Sequence, residues 1–178
     1  MTNLQQELNG KRVGILAENH YEDLELWYPL LRLRETGAMV VVIGMKGVET
    51  YHSKHGYPVK PDVVAEETAA ADLDAIVVPG GYAPDYIRRH PAMLALVKGV
   101  YDKGGVVAFI CHAGWVPISA GIVAGKTVTS VSSIKDDLVN AGAKWVDQEV
   151  VQDGNLISSR GISDLPAFCR TIIAALRS

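Results

Sequence analysis

Val106 to Ile110, read as VVAFI, is the most continuously apolar strand-like run in the chain, and it leads straight into Cys111 and His112. Five consecutive apolar residues bounded by polar or small ones predict a strand covered on both faces, as in the middle of a parallel sheet. A helical stretch toward Ala120 follows, so Cys111 falls at a strand-to-helix turn. Ligands of open α/β sheets bind at the carboxyl ends of such strands.

The same alternation extends outward. Val13–Ala17 (VGILA) predicts a strand, and Tyr21–Thr36 a helix with Leu24, Trp27, Leu30, Leu31 and Arg34 near helical spacing and Gly37 as its stop. Val40–Ile43 predicts the next strand, completing a βαβ unit with a right-handed crossover. His52–Pro61, with Gly56 and two prolines, reads as a turn with short extended arms, a small excursion from the main sheet. Leu73–Pro79 predicts a strand running into Gly80–Gly81, and His90–Lys103 a helix stopping at Gly104. Beyond Cys111, Val128–Val131 reads as a strand, Ile134–Ala141 as a helix, Glu149–Gln152 and Leu156–Ser159 as paired strands, and Asp164–Leu176 as a closing helix. This pattern predicts an α/β fold, a flavodoxin-like three-layer αβα sandwich with a mostly parallel sheet, in a single domain over residues 1–178.

Composition narrows the function. A net charge of -3 with acids and bases interspersed offers no basic stripe for a phosphate backbone, so nucleic acid is not expected as a partner. No run of about 20 apolar residues is present to span a bilayer. Met1 to Arg12 lacks the apolar core and cleavage site of a secretory signal, and the expected location is the cytoplasm. There the two cysteines, Cys111 and Cys169, are expected as thiols. His52 and His55 share a loop but have no second ligand pair at structural spacing, so no metal or other cofactor is expected.

A cysteine at the turn after a buried strand projects its sulfur from a sharp bend, where unpaired helix N–H groups would favour the thiolate. Hydrolase elbows carry small residues two places either side of the nucleophile, whereas here those places hold Phe109 and Ala113. A buried packing cysteine is the competing reading. The Gly80–Gly81 pair would let backbone N–H groups approach an oxyanion, or would simply make a turn. Glu22 and Glu25 follow the first strand; either could aim a carboxylate across the sheet end or serve the start of a helix. Trp115, close to Cys111 in sequence, is a candidate pocket wall, and Cys169 reads as a packing residue of the last helix.

Six blocks along the chain carry a family resemblance: Tyr21–Pro29 (YEDLELWYP), Lys54–Tyr57 (KHGY), Val78–Pro84 (VPGGYAP), Ile110–His112 (ICH), Ile134–Asp137 with Asn140–Ala143, and Ile157–Arg160 followed by Asp164–Phe168. Together they resemble the PfpI intracellular protease family, within the superfamily of the parkinsonism-linked protein deglycase. The resemblance implies a reactive Cys111, a protonated Glu25 hydrogen-bonded to its thiolate, and His112 as base of a Cys-His-acid triad. It also implies that the acid comes from a neighbouring subunit of a homodimer or larger homo-oligomer. The matching acid position is Asp85, one methylene shorter than the family's Glu. Ala113-Gly114 and Arg160–Ser163 also depart from the family pattern. Gly80, Gly81, the His112 backbone, Glu22 and Trp115 are the expected oxyanion and substrate-binding positions. Three activities fit these residues: a stress-response enzyme acting on small reactive carbonyls or glycated groups, a PfpI-type cysteine peptidase, and a sensor that oxidises Cys111.

Overall fold

Every side chain from Val106 to Ile110 is buried in the computed structural model, which describes residues 7–177; residues 1–6 of the segment Met1 to Arg12 and the last residue of the expected domain lie outside the described residues. At about 1.5–3 kcal/mol for each large apolar side chain removed from water, this strand is a major contributor to the core. In chain order the elements are β1 (Arg12–Leu16), α1 (Asp23–Glu35), β2 (Met39–Gly44), β3 (Tyr51–His52), β4 (Pro58–Val59), β5 (Val63–Val64) and β6 (Ala75–Val78). Then come α2 (Ala83–Ile87), α3 (Pro91–Asp102), β7 (Val106–Ile110), α4 (Trp115–Ser119), β8 (Thr127–Val128) and α5 (Lys135–Asn140). β9 (Lys144–Trp145), β10 (Val150–Asp153), β11 (Leu156–Ser159) and α6 (Leu165–Arg177) complete the described chain.

The main sheet has seven strands in the order β10-β11-β7-β6-β1-β2-β5, all parallel except β10. From β1 the chain crosses in one direction to β2, and from β6 in the other to β7. With right-handed crossovers, α1 and α3 then cover opposite faces. Helix α6 joins α1, while α4 joins α3. The direction reverses between β1 and β6, and at such a switch point the connections leave in opposite directions and open a crevice at the strand ends. Glu22 and Glu25 follow β1 there, Gly80–Gly81 follow β6, and Cys111 follows the neighbouring β7.

The sequence reading needs three corrections. Helix α1 buries Leu26, Leu30 and Leu33; of the expected stripe Leu30 faces inward and Trp27 packs against the core, while Leu24 and Leu31 are 50% and 60% exposed and Arg34 is exposed too. The 26, 30, 33 spacing is the one that also turns Glu25 inward. Val128–Val131 does not extend the sheet: Thr127–Val128 pairs with Lys144–Trp145 in a separate two-stranded sheet, and the residues after it form a turn over the crevice. Strands β5 and β9 and helix α2 were not anticipated, being two, two and five residues long. The excursion at His52–Pro61 is the β3–β4 hairpin, a separate two-stranded sheet.

Candidate active site

Cys111 adopts φ +62°, a left-handed conformation that costs a residue bearing a Cβ about 1–2 kcal/mol. Ile110 before it is extended, and Cys111–Gly114 form a single tight turn before α4. The elbow anticipated from sequence is therefore present, despite a phenylalanine on one flank. Phe109 and Ala113 are both fully buried, so the flanking positions serve the core.

Gly80 and Gly81 have no room for a side chain. A Cβ on Gly80 would collide with Glu25 Oε2, and would lie 2.7 Å from the Cys111 Cβ and 2.9 Å from the Ile110 carbonyl oxygen. Gly81 has φ +73°, and a Cβ there would stand 2.5 Å from the Glu22 nitrogen. The Gly80 N–H donates to Glu25 Oε2 at 2.9 Å, joining residues 55 apart in sequence. Backbone N–H groups of Gly81 and His112 both bear on the Cys111 sulfur. The expected oxyanion positions thus surround the thiol, and Glu25 is locked beneath them.

Burial pushes the Glu25 carboxyl up to about 7, with Glu22 adding to the effect while the Gly80 N–H and Lys54 oppose it. Burial also pushes the Cys111 thiol up to about 12, reinforced by the charge on Glu25 and countered by the His112 and Gly81 N–H groups. The two groups act on each other, a charge on Glu25 making the Cys111 thiol harder to ionise. Burial thus opposes the thiolate that the turn was expected to favour.

His112 Nδ1 lies 3.3 Å from Cys111 Sγ, and its Nε2 lies 3.1 Å from Ser133 Oγ. Burial first, then the nearby Lys54 ammonium, hold the imidazole below its ordinary range, so it is neutral and able to accept a proton at pH 7. Ser133 occupies the place a triad acid would take. Asp85 sits on α2 and forms its ion pair with Arg89, so a triad is not closed within one chain. Trp115 walls a cleft beside His112, with ring centroids 5.4 Å apart, and donates its indole N–H to Asp137 at 2.7 Å. Glu22 is buried and ion-paired with Lys54. His55 meets Asp23 at 2.7 Å instead of acting with His52.

Ser133 and Lys54 are the two neighbours that sequence reasoning missed as site residues. Lys54 did carry a signal, the KHGY block, whereas Ser133 reaches His112 only because the segment after β8 leaves the sheet.

A doubly wound sandwich that ends a central strand in a left-handed cysteine, beneath a glycine pair and beside a buried glutamate, defines an α/β class with a nucleophile-elbow thiol. The chain belongs to the DJ-1/PfpI family, whose model matches residues 11–175. It is 45% identical over 167 residues to a deglycase of Pyrococcus abyssi, covering 93% of this chain and 99% of that protein. A deglycase of Thermococcus kodakarensis is 44% identical over 167 residues, with the same shares of the two chains. Among solved structures, a two-domain protein of Anabaena variabilis with DJ-1/ThiJ/PfpI-like and ferritin-like domains superposes with TM-score 0.91 at 39% identity. That match takes in 93% of this chain and 48% of the other, so this chain spans about half of that protein.

Proposed function

We propose that the protein is a cysteine-dependent hydrolase of small reactive carbonyls or glycated groups, of glyoxalase or deglycase type. In this reading it is a cytoplasmic stress-response protein that works as a homo-oligomer. The observation that carries the reading is the placement of a strained thiol between a neutral imidazole at 3.3 Å and two converging backbone N–H groups, above a carboxyl that titrates near 7.

With methylglyoxal as substrate, His112 takes the thiol proton as Sγ bonds to the aldehyde carbon. The C=O electron pair moves to oxygen, where the Gly81 and His112 N–H groups face it. Return of the proton gives the hemithioacetal. Glu25, in its carboxylate form, then removes the C1 hydrogen as a proton; the electron pair moves to O2 as an enediolate, the O1 hydroxyl proton passes to O2, and Glu25 returns its proton to C2, which leaves a lactoyl thioester. Water attacks the thioester carbonyl and releases lactate, restoring the thiol. Overall, methylglyoxal and water give lactate, with no external oxidant or reductant.

The test is lactate formation from methylglyoxal by the purified protein, with Cys111→Ala as control. Steady turnover, lost by a factor of at least about 10³ in the variant, is expected for an obligatory nucleophile. Absence of lactate above the variant's background would overturn the carbonyl reading. Peroxide oxidation of Cys111 in preference to Cys169 would then favour a sensor, and cleavage of a peptide substrate by the assembled oligomer would favour the peptidase.

A further inference from the structure

The β3–β4 hairpin belongs to no part of the main sheet, yet it is fastened to the start of α1 and to the residues just before it. Ser53 Oγ donates to Asp23 Oδ1 at 2.7 Å and accepts the backbone N–H groups of His55 and Tyr57. His55 meets the other Asp23 oxygen at 2.7 Å. The Lys54 N–H donates to the Tyr21 carbonyl at 3.0 Å, and the Tyr21 hydroxyl donates to the Tyr57 carbonyl at 2.7 Å. Both neighbours of Lys54 are thereby anchored on one aspartate, which fixes the direction in which Lys54 leaves the turn.

That direction leads to Glu22. The Lys54 ammonium pairs with Glu22 Oε2, whose side chain is 7% exposed against 44% for the lysine. The Glu22 N–H in turn donates to the Gly80 carbonyl at 3.2 Å. The ion pair therefore rests on the same glycines that touch Glu25 and Cys111. The charged and titratable groups around the thiol are Glu22 and Glu25 from the start of α1, Lys54 from the hairpin and His112 from its own turn. Asp23 and His55 are paired farther out, Asp85 on α2 pairs with Arg89 just past its end, and Arg88 lies over the Trp115 ring. Lys54 is the cation in this set that bears on Cys111, Glu25 and His112 alike.

We propose that the Glu22–Lys54 ion pair biases the charge of the nucleophile, Lys54 favouring an anion at Cys111 and Glu22 opposing it, with the hairpin holding the two in balance. Both are positioning residues that act through the field they set at Cys111 and Glu25. The proposal deepens the functional reading, since it rests on Cys111 being the nucleophile, but it does not depend on which substrate is attacked.

Deleting one half of an ion pair unmasks the other. A buried thiol beside an unpaired carboxylate is harder to ionise, and beside an unpaired ammonium it is easier. A pair that served packing alone would instead lose stability on either deletion without giving the thiol opposite responses. The experiment follows iodoacetamide modification of Cys111 by peptide mass spectrometry across pH, on the full chain. Lys54→Met is expected to slow the reaction about fivefold at pH 8 and move its midpoint up. Glu22→Gln is expected to speed it by a similar factor and move the midpoint down, each being somewhat under a full pK unit. Lys54→Arg should restore the wild-type midpoint, and the double variant Lys54→Met with Glu22→Gln should fall between the singles.

Shifts of the same sign in both singles, or an unmoved midpoint in both, would overturn the proposal. Should Lys54→Met fail to fold, Glu22→Gln decides alone: slower or unchanged alkylation refutes the bias. Lactate formation is scored separately, so loss of the carbonyl reading with opposite midpoint shifts intact would remove the substrate and keep the ion pair's role.

Discussion

Cys111 and Cys169 start from the same physical disadvantage: burial pushes each thiol up to about 12. Cys169 lies in the middle of α6, 1% exposed, on the same buried face as Leu165, Phe168, Ile172 and Ile173, with the charge of Arg32 opposing the effect of burial. Cys111 is partly exposed, held at positive φ, and surrounded by an imidazole, two N–H groups and a carboxyl. The contrast shows that an elevated thiol does not by itself distinguish the two cysteines. What separates them is access and a neighbour able to take the proton at the moment of attack.

The comparison can be broken most forcefully at Gly80. Gly80→Ala places a methyl against Glu25 Oε2 and the Cys111 Cβ and should lower turnover on the order of 10²-fold, while leaving the Cys169 environment unchanged. Wild-type turnover in a folded Gly80→Ala protein would show that the Glu25–Cys111 spacing does not matter.

Glu25→Gln sharpens the contrast with a smaller effect. The charge on Glu25 is the second cause, after burial, of the raised Cys111 thiol, so the variant should alkylate Cys111 about tenfold faster at pH 8, with Cys169 still protected. The same residue makes stability depend on pH. Its folded-state carboxyl is raised from 4.5 to about 7, so its contribution is fully present below about pH 4.5 and is lost as pH rises through about 7. Urea unfolding should show wild-type stability falling by about 3 kcal/mol across that window from this group, with the slope flattened in Glu25→Gln. An equal slope in both proteins would mean that Glu25 is not the group responsible.

The smallest effect is expected at Cys169→Ala. Removing one buried sulfur should cost about 1 kcal/mol in urea unfolding and change turnover less than twofold. A large loss of turnover without unfolding would erase the distinction drawn between the two thiols.

Much of this was legible in residue order. VVAFI, VGILA, VVVI and AIVV are long or apolar enough to announce buried strands, and the Cys111 turn and the Gly80–Gly81 pair follow from where those strands stop. Other features arise only through space. Thr127–Val128 leaves the sheet because it finds Lys144–Trp145, and this brings Ser133 to His112. The direction of the Cys111 shift depends on how deeply the thiol is buried and on the charge of Glu25 beside it, both set by packing between distant elements. Asp85 reads as an acid near the site, but its commitment to Arg89 is a matter of helical neighbours one turn apart.

The placement of β1 between β2 and β6 also governs how the molecule comes into being. Glu25 belongs to the first βαβ unit and Cys111 to the second, and the β1–β6 ladder is what joins the two. Contacts so distant along the chain close slowly during folding. Until they close, Cys111 is an ordinary solvent-exposed thiol, ionising near 8.5 and open to oxidants in the newly made chain. Native assembly thus shelters the cysteine at the same moment that it surrounds it with Glu25 and the glycine pair, and the interval before β1 meets β6 is when the thiol is most open to oxidation.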